Sequence, residues 1–221
     1  MSDLIQIVDT VVADAYQRGG HHLVCHPGCC QCCIGVFPIS QQDATRLREA
    51  LVILEQTDPE KSHRIQSRAA ASRTRLTQYF PGDLHTGVLN EDFEDSSLFT
   101  DESENSLGDN EPCPVLDPAT GTCDLYEGRP IVCRTFGPPM RTPGDDGEIN
   151  LATCELCFTQ ATTEEIAASE IDPTLPAQEA ASNDAFNAAH HLHGQTLVAY
   201  ALRECETTYE QVKNPVKPQR F

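Results

Sequence analysis

Five of the eleven cysteines fall within nine residues, CHPGCCQCC at 25–33. Neighbouring thiols such as Cys29 and Cys30, or Cys32 and Cys33, reach disulfide geometry with each other only under strain. A cation or a metal cluster, by contrast, gathers several thiolates from one tight loop. The offsets Cys25-x3-Cys29-x2-Cys32 suit three irons of a cuboidal cluster and leave the fourth to a remote ligand or a substrate. Radical enzymes that bind adenosylmethionine use the same triplet, but on a repeated β/α barrel, and this chain is short and lacks that alternation. Zinc is the competing metal, with four ligands in a tetrahedron, usually from two short knuckles. Cys29/Cys32 or Cys30/Cys33 supply one knuckle and Cys154-Glu155-Leu156-Cys157 another, at a separation far beyond that of a zinc ribbon. Free thiols packing as small hydrophobes account for Cys205 on its helix, but not for five in nine residues.

The later cysteines Cys113, Cys123, Cys133 and Cys154 stand beside turn-formers or helix starts rather than within apolar periods. His21, His22 and His26 flank the first cluster and are either ligands of a mixed site or exposed loop residues. His190 and His193 share a helical face with no acidic ligand beside them. No Ser-His-Asp arrangement, phosphate loop or paired-carboxylate signature stands out.

These residues need a scaffold, and the periodicity predicts a mostly helical one. Leu4, Val8, Val11 and Ala15 form one stripe of a helix over 3–17, with Ser2 as its cap and Gly19-Gly20 as its stop. After the cysteine loop, residues 34–39 read as a short extended segment in which Pro38 favours a sheet edge. Ser40 opens a helix to about Gln56, with Asp43 at the capping-box position. Asp58-Pro59 opens another to about Tyr79, halted by Pro81-Gly82. Residues 113–116 and 122–126 flank a turn at Asp117–Gly121 and predict a small hairpin. Gly128-Arg129-Pro130 then launches a helical turn carrying Cys133. A long helical region follows from Pro176 to Tyr209, broken near Gly194.

The net charge of −19 is unevenly spread. Residues 1–80 balance, whereas residues 81–112 hold ten acidic side chains and no basic one. This disfavours nucleic-acid backbones and anionic membranes as partners. The stretch 90–111 reads as a solvated mobile loop, or else as a docking surface for a basic protein partner. The first twenty residues carry Asp3, Asp9 and Asp14 and lack the basic start of a signal peptide. No apolar run is long enough to span a membrane. The expected location is therefore cytoplasmic, where clustered thiols serve metals or redox chemistry rather than structural disulfides.

CHPGCCQCC followed by IGVFPISQQDATRL, and CPVLDPATGTCDLYEGRPIVCRTFG at 113–137, resemble the CxxCxxCC cysteine-cluster family. The resemblance spans about residues 20–157. It implies a zinc- or iron-chelating domain, often named an iron–sulfur oxidoreductase. Residue by residue, Cys25, Cys29, Cys32 and Cys33 match the leading cluster, and Cys113, Cys123 and Cys133 the later positions. Arg129-Pro130 and Arg134 fall in the family's R-P-x-x-C-R, and Cys154 matches more loosely. Cys30, Cys157, Cys205 and the acidic insertion depart from the pattern. Flagellin lysine N-methylases resemble the family in their cysteine region, yet this chain lacks a Gly-rich loop to cradle adenosylmethionine, and chelation is the more secure implication.

The resulting expectation is one mainly α domain over 1–212 with a small β-hairpin, irregular and organised around a cysteine-ligated centre. An acidic mobile insertion would occupy about 83–111, and 213–221 would form a loosely ordered tail. The ligand candidates are Cys25, Cys29, Cys32, Cys33, Cys113, Cys123, Cys133 and Cys154, enough for two centres. Arg129 and Arg134 would offset the charge of the bound cofactor or else bind loop carbonyls. The cofactor expected is an iron–sulfur cluster of the 4Fe–4S type, with zinc as the alternative. The function expected is metal or cluster binding, with redox or cluster-dependent modification. The competing class is a zinc-stapled, non-catalytic interaction or metal-handling protein.

Overall fold

The computed structural model describes residues 3–101, 103, 106–143 and 149–203. The Ser2 cap, the tail from residue 213, the end of the last helical region and Cys205 lie outside them. Helix α1 (Asp3–Gly19) buries Leu4, Ile5, Val8 and Ala15 as its stripe demands. Gly20, at φ +52°, turns the chain out of it into a short 3₁₀ turn over Gly20–His22.

Strand β1 (Pro38–Ser40) ends on the residue that caps helix α2 (Gln41–Thr57). The Ser40 hydroxyl accepts from the Asp43 N–H at 3.0 Å, satisfying a donor at the helix start. Asp58 does the same for helix α3 (Pro59–Leu76), accepting from the Lys61 N–H at 3.0 Å, with Pro59 opening the first turn. Leu47 and Leu51 of α2 meet Ile65 and Ala69 of α3 in the largest core cluster.

The acidic segment begins at a two-residue antiparallel pair, β2 (Gly82–Asp83) with β3 (Val88–Leu89), and contains helices α4 (Ser97–Thr100) and α5 (Leu107–Asn110). Asp83, Glu91, Asp92, Glu94, Asp95, Asp101 and Asp109 are exposed, while Phe93 and Leu98 are buried with Leu76, Phe80 and Tyr200. Glu111, only 3% exposed, is held by Arg75 of α3 through two bonds of 2.9 and 2.6 Å.

The hairpin forms where the turn residues place it, as β4 (Leu116–Asp117) and β5 (Thr122–Cys123), with Leu116 opposite Cys123. Helix α6 (Ile131–Thr135) follows Pro130 and carries Cys133. Strands β6 (Met140–Pro143) and β7 (Ile149–Ala152) pair next, then helices α7 (Thr163–Ala168) and α8 (Leu175–His190). Beyond α8 the helical region expected from Pro176 onward gives way to a strand. His191 and Gly194 both take positive φ, and β8 (Gln195–Leu197) pairs antiparallel with β1 before helix α9 (Val198–Ala201). The β-branched Thr196 suits that pairing, and its hydroxyl donates to the Gly87 carbonyl at 2.6 Å. Among the described residues the architecture is thus mainly helical, with four two-stranded antiparallel pairs around irregular loops. Among the described residues, no helix is long and apolar enough to cross a membrane.

Candidate metal centre

Three distant stretches converge on one cavity: the 25–33 loop, the 113–123 hairpin and α6. The loop folds back by short turns, with the Cys29 N–H donating to the His26 carbonyl and the Cys33 N–H to the Cys30 carbonyl, each at 2.9 Å. It joins the hairpin where the Cys113 N–H donates to the Cys33 carbonyl at 2.8 Å, next to an antiparallel bridge between Ile34 and Pro112. At the hairpin tip Gly121, at φ +69°, presses on the loop so closely that an added Cβ would stand 2.8 Å from the Gly28 carbonyl oxygen. Only glycine meets both demands.

Charge pins the hairpin and α6 to the longer helices. Asp124, just after β5, accepts from Arg68 at 2.5 Å and pairs with Lys61 at 3.4 Å, while Arg68 Nε donates to the Pro114 carbonyl at 2.7 Å. The Asp43 carboxylate pairs with Arg46 and also accepts from the Ile131 N–H at 3.1 Å, so the same residue serves the starts of α2 and α6. Arg134 spends its donors on Asp9 of α1, at 2.8 and 3.1 Å, and on the carbonyls of Arg129 and Glu127.

The cavity so framed has a volume of about 470 Å³ and is lined by Cys25, Cys29, Cys32 and Cys33 from the loop and Cys113, Cys123 and Cys133 from the later segments. Cys30 is the one loop thiol off its wall. Cys154 also lies elsewhere, buried with Cys157, Leu23 and Phe158, with Cys25 and Tyr16 packed against that group. His26 lines the cavity mouth and hydrogen-bonds the Pro27 carbonyl, whereas His22 stacks on Phe158 and faces Glu165. His190 packs on Phe186 within its own helix.

Cys113, Cys123 and Cys133 each feel the charge of Cys32, which itself feels Cys33. Burial pushes the Cys133 thiol up, and the neighbouring charges of Cys113, Cys123 and Cys32 add to it. Burial likewise pushes Cys113 up to about 12, with Cys123 and Cys32 contributing, and raises Cys123, on which Cys32 also acts. Cys32 is raised first by its hydrogen bond with Cys33, then by burial. Thiols so raised are neutral without a cation, and a soft metal that replaces their protons relieves both causes.

Arg129 supplies the positive charge. Its guanidinium lies over the Tyr126 ring, 4.1 Å from the centroid, and its field lowers Cys32 and Cys123. Its Nε is buried on the cavity wall with no hydrogen-bond partner. An orphaned cationic donor whose charge reaches Cys32 and Cys123 fits an anionic, thiolate-bound group. The tetrad Cys32, Cys113, Cys123 and Cys133 would hold that group. Among the described residues, no three Cys, His, Asp or Glu side chains are gathered closely enough to hold a single ion as they stand.

Sequence patterns pointed to the thiols and to Arg129, but not to Asp9, Asp43 and Asp124, which position them. Asp43 and Asp124 show only a carboxylate beside a helix start or a hairpin end, and Asp9 only a charge within a helix. No curated protein and no solved structure matches the chain. The profile of one family does match, over residues 24–157, more than half of the chain and the whole span that carries the cavity thiols. The chain belongs to that family, CxxCxxCC, described as a "putative zinc- or iron-chelating domain".

Proposed function

We propose that the cavity holds an iron–sulfur cluster of the 4Fe–4S type, bound by Cys32, Cys113, Cys123 and Cys133, and that the protein is a redox or cluster-dependent modifying protein. The observation that carries this reading is the convergence of seven thiols from three distant segments on one cavity of about 470 Å³. That is far more room and more sulfur than a single tetrahedral ion uses. When bound, such a cluster supplies a one-electron couple whose potential the surrounding protein sets. The chain's own contribution is electrostatic and steric. Arg129, half-buried with its Nε turned away from solvent, offsets thiolate charge. Arg134, anchored to Asp9, fixes the turn that presents Arg129 and Cys133. Phe37, Val115 and Val198 form an apolar wall that limits water at the sulfurs. A reducing compartment such as the cytoplasm suits these thiols, which would otherwise oxidise.

Anaerobic purification followed by iron, acid-labile sulfide and zinc quantification tests the reading. Iron and sulfide in near-equal amounts, with visible absorption bleached by dithionite, are the expected outcome. Zinc filling the tetrad with no sulfide would replace the cluster by a structural ion and leave a non-catalytic, zinc-stapled domain.

A further inference from the structure

The thiols outside the tetrad are not scattered. Cys25 and Cys157, 132 residues apart in sequence, place their Sγ atoms 3.9 Å from each other. Two sulfurs bound to one tetrahedral zinc at about 2.3 Å are about 3.8 Å apart, and the bonded sulfurs of a disulfide only about 2.05 Å. Cys154 and Cys157 are 4% and 3% exposed and share one buried cluster with Cys25. The Cys157 N–H donates to the Cys154 carbonyl at 2.9 Å, closing a Cys-x2-Cys turn of the knuckle kind. The chain around it is fixed: the Phe158 N–H donates to the His22 carbonyl at 2.9 Å and the Cys154 N–H to the Gly137 carbonyl at 3.4 Å. Gly137, at φ +123°, passes so close that an added Cβ would lie 3.4 Å from the Cys25 sulfur. Cys29 joins from the loop: it lines the cavity with Cys25, four residues earlier, and its N–H donates to the His26 carbonyl at 2.9 Å, folding the loop back between them.

We propose that Cys25, Cys29, Cys154 and Cys157 form a second centre, separate from the cavity tetrad, that takes one zinc ion in tetrahedral thiolate coordination. Cys25 and Cys157 already span one edge of the tetrahedron, and Cys29 and Cys154 would have to swing in to supply the other two ligands. Each thiol gives up its proton to solvent as its sulfur binds the ion, and no electron is transferred. The centre clamps the entry of the cysteine loop to the segment after β7, so it closes the fold around the cavity rather than acting in it. The inference rests on the reading of these cysteines as metal ligands, but not on the identity of the metal in the tetrad.

The test uses the full chain purified anaerobically. Zinc-edge X-ray absorption of the unaltered protein should show one zinc per chain with four sulfur neighbours at about 2.3 Å. Cys157→Ser should lose one equivalent of zinc and keep the metal of the tetrad, while Cys133→Ser should do the reverse. If the tetrad holds zinc instead of a cluster, the unaltered chain carries two zinc ions and each substitution removes one, which sustains this proposal while refuting the cluster. Zinc with nitrogen or oxygen neighbours would overturn it. So would a zinc-free protein with Cys25 and Cys157 joined in a disulfide by peptide mapping, or iron loss in Cys157→Ser. Should Cys157→Ser not fold, the absorption spectrum of the unaltered chain decides alone.

Discussion

Cys133 reaches the cavity from α6, a five-residue helix whose start is held by a carboxylate from α2. Replacing it by serine leaves the tetrad one soft ligand short, and an alcohol is a poor substitute for a thiolate. Cys133→Ser should therefore lose the tetrad's metal, whereas Cys30→Ser, off the cavity wall, should retain absorbance and metal content near those of the unaltered chain. The raised thiols also set a pH dependence for the metal-stripped protein. An acid whose folded pKa exceeds its unfolded value contributes stability that is full below the unfolded value and is lost as pH rises toward the folded one. For Cys113 that window opens at 9.0 and extends to about 12. Stripped protein should thus lose thermal stability from pH 9 upward. Metal-loaded protein, whose thiols no longer carry protons, should not follow it over pH 8–10 in paired thermal melts.

At the scale of elements, two joints bear on the site. Asp124 is only 5% exposed in its side chain, and removing it leaves Arg68 with the Pro114 carbonyl but no counter-charge there. Asp124→Ala should cost about 3 kcal/mol, the typical penalty for one half of a largely buried pair, read from chemical denaturation at constant metal load. Gly128 meets α2 so tightly that an added Cβ would lie 2.5 Å from that of Ala50. Gly128→Ala should cost about 1–3 kcal/mol by overpacking, and it should shift the turn that delivers Arg129 and Cys133. Much of this level was legible in the sequence, since Ser40, Asp58 and Pro59 announce helix starts and the Asp-Pro-Ala-Thr-Gly turn announces its hairpin. Other features were not. Phe93 and Leu98 sit in a run so acidic that their burial has no local signal, and β8 is defined by a partner strand 155 residues away, a pairing that no short window contains. The grouping of Cys25 with Cys157 likewise depends on how the loop and the segment after β7 cross in space.

Across the whole molecule, a metal held at the tetrad would couple its binding to the stability of the fold. The tetrad joins the loop, the hairpin and α6, so binding energy acts between segments that are otherwise tied by a few hydrogen bonds and ion pairs. Stripping the metal should lower the melting temperature by about 10–20 °C, the scale set by a loss of about 5 kcal/mol in a chain of this length. Equal midpoints would rule out a structural role for the metal. The acidic face behaves differently. Phe93→Ala should destabilise the protein by about 3 kcal/mol without changing metal per folded chain, because that cluster shares no residue with the cavity.

The pairing of β1 with β8 sets Pro38 opposite Leu197, and that carries a consequence for synthesis on the ribosome. The five clustered thiols are made early, but Cys133 follows the loop by a hundred residues, about 5–20 s at ordinary elongation rates. The strand that fastens β1 emerges later still. For that interval the nascent loop is an open thiolate trap with no fourth wall and no arginine to balance it. Its correct loading then depends on what the cell delivers in those seconds, before β8 arrives to fasten β1.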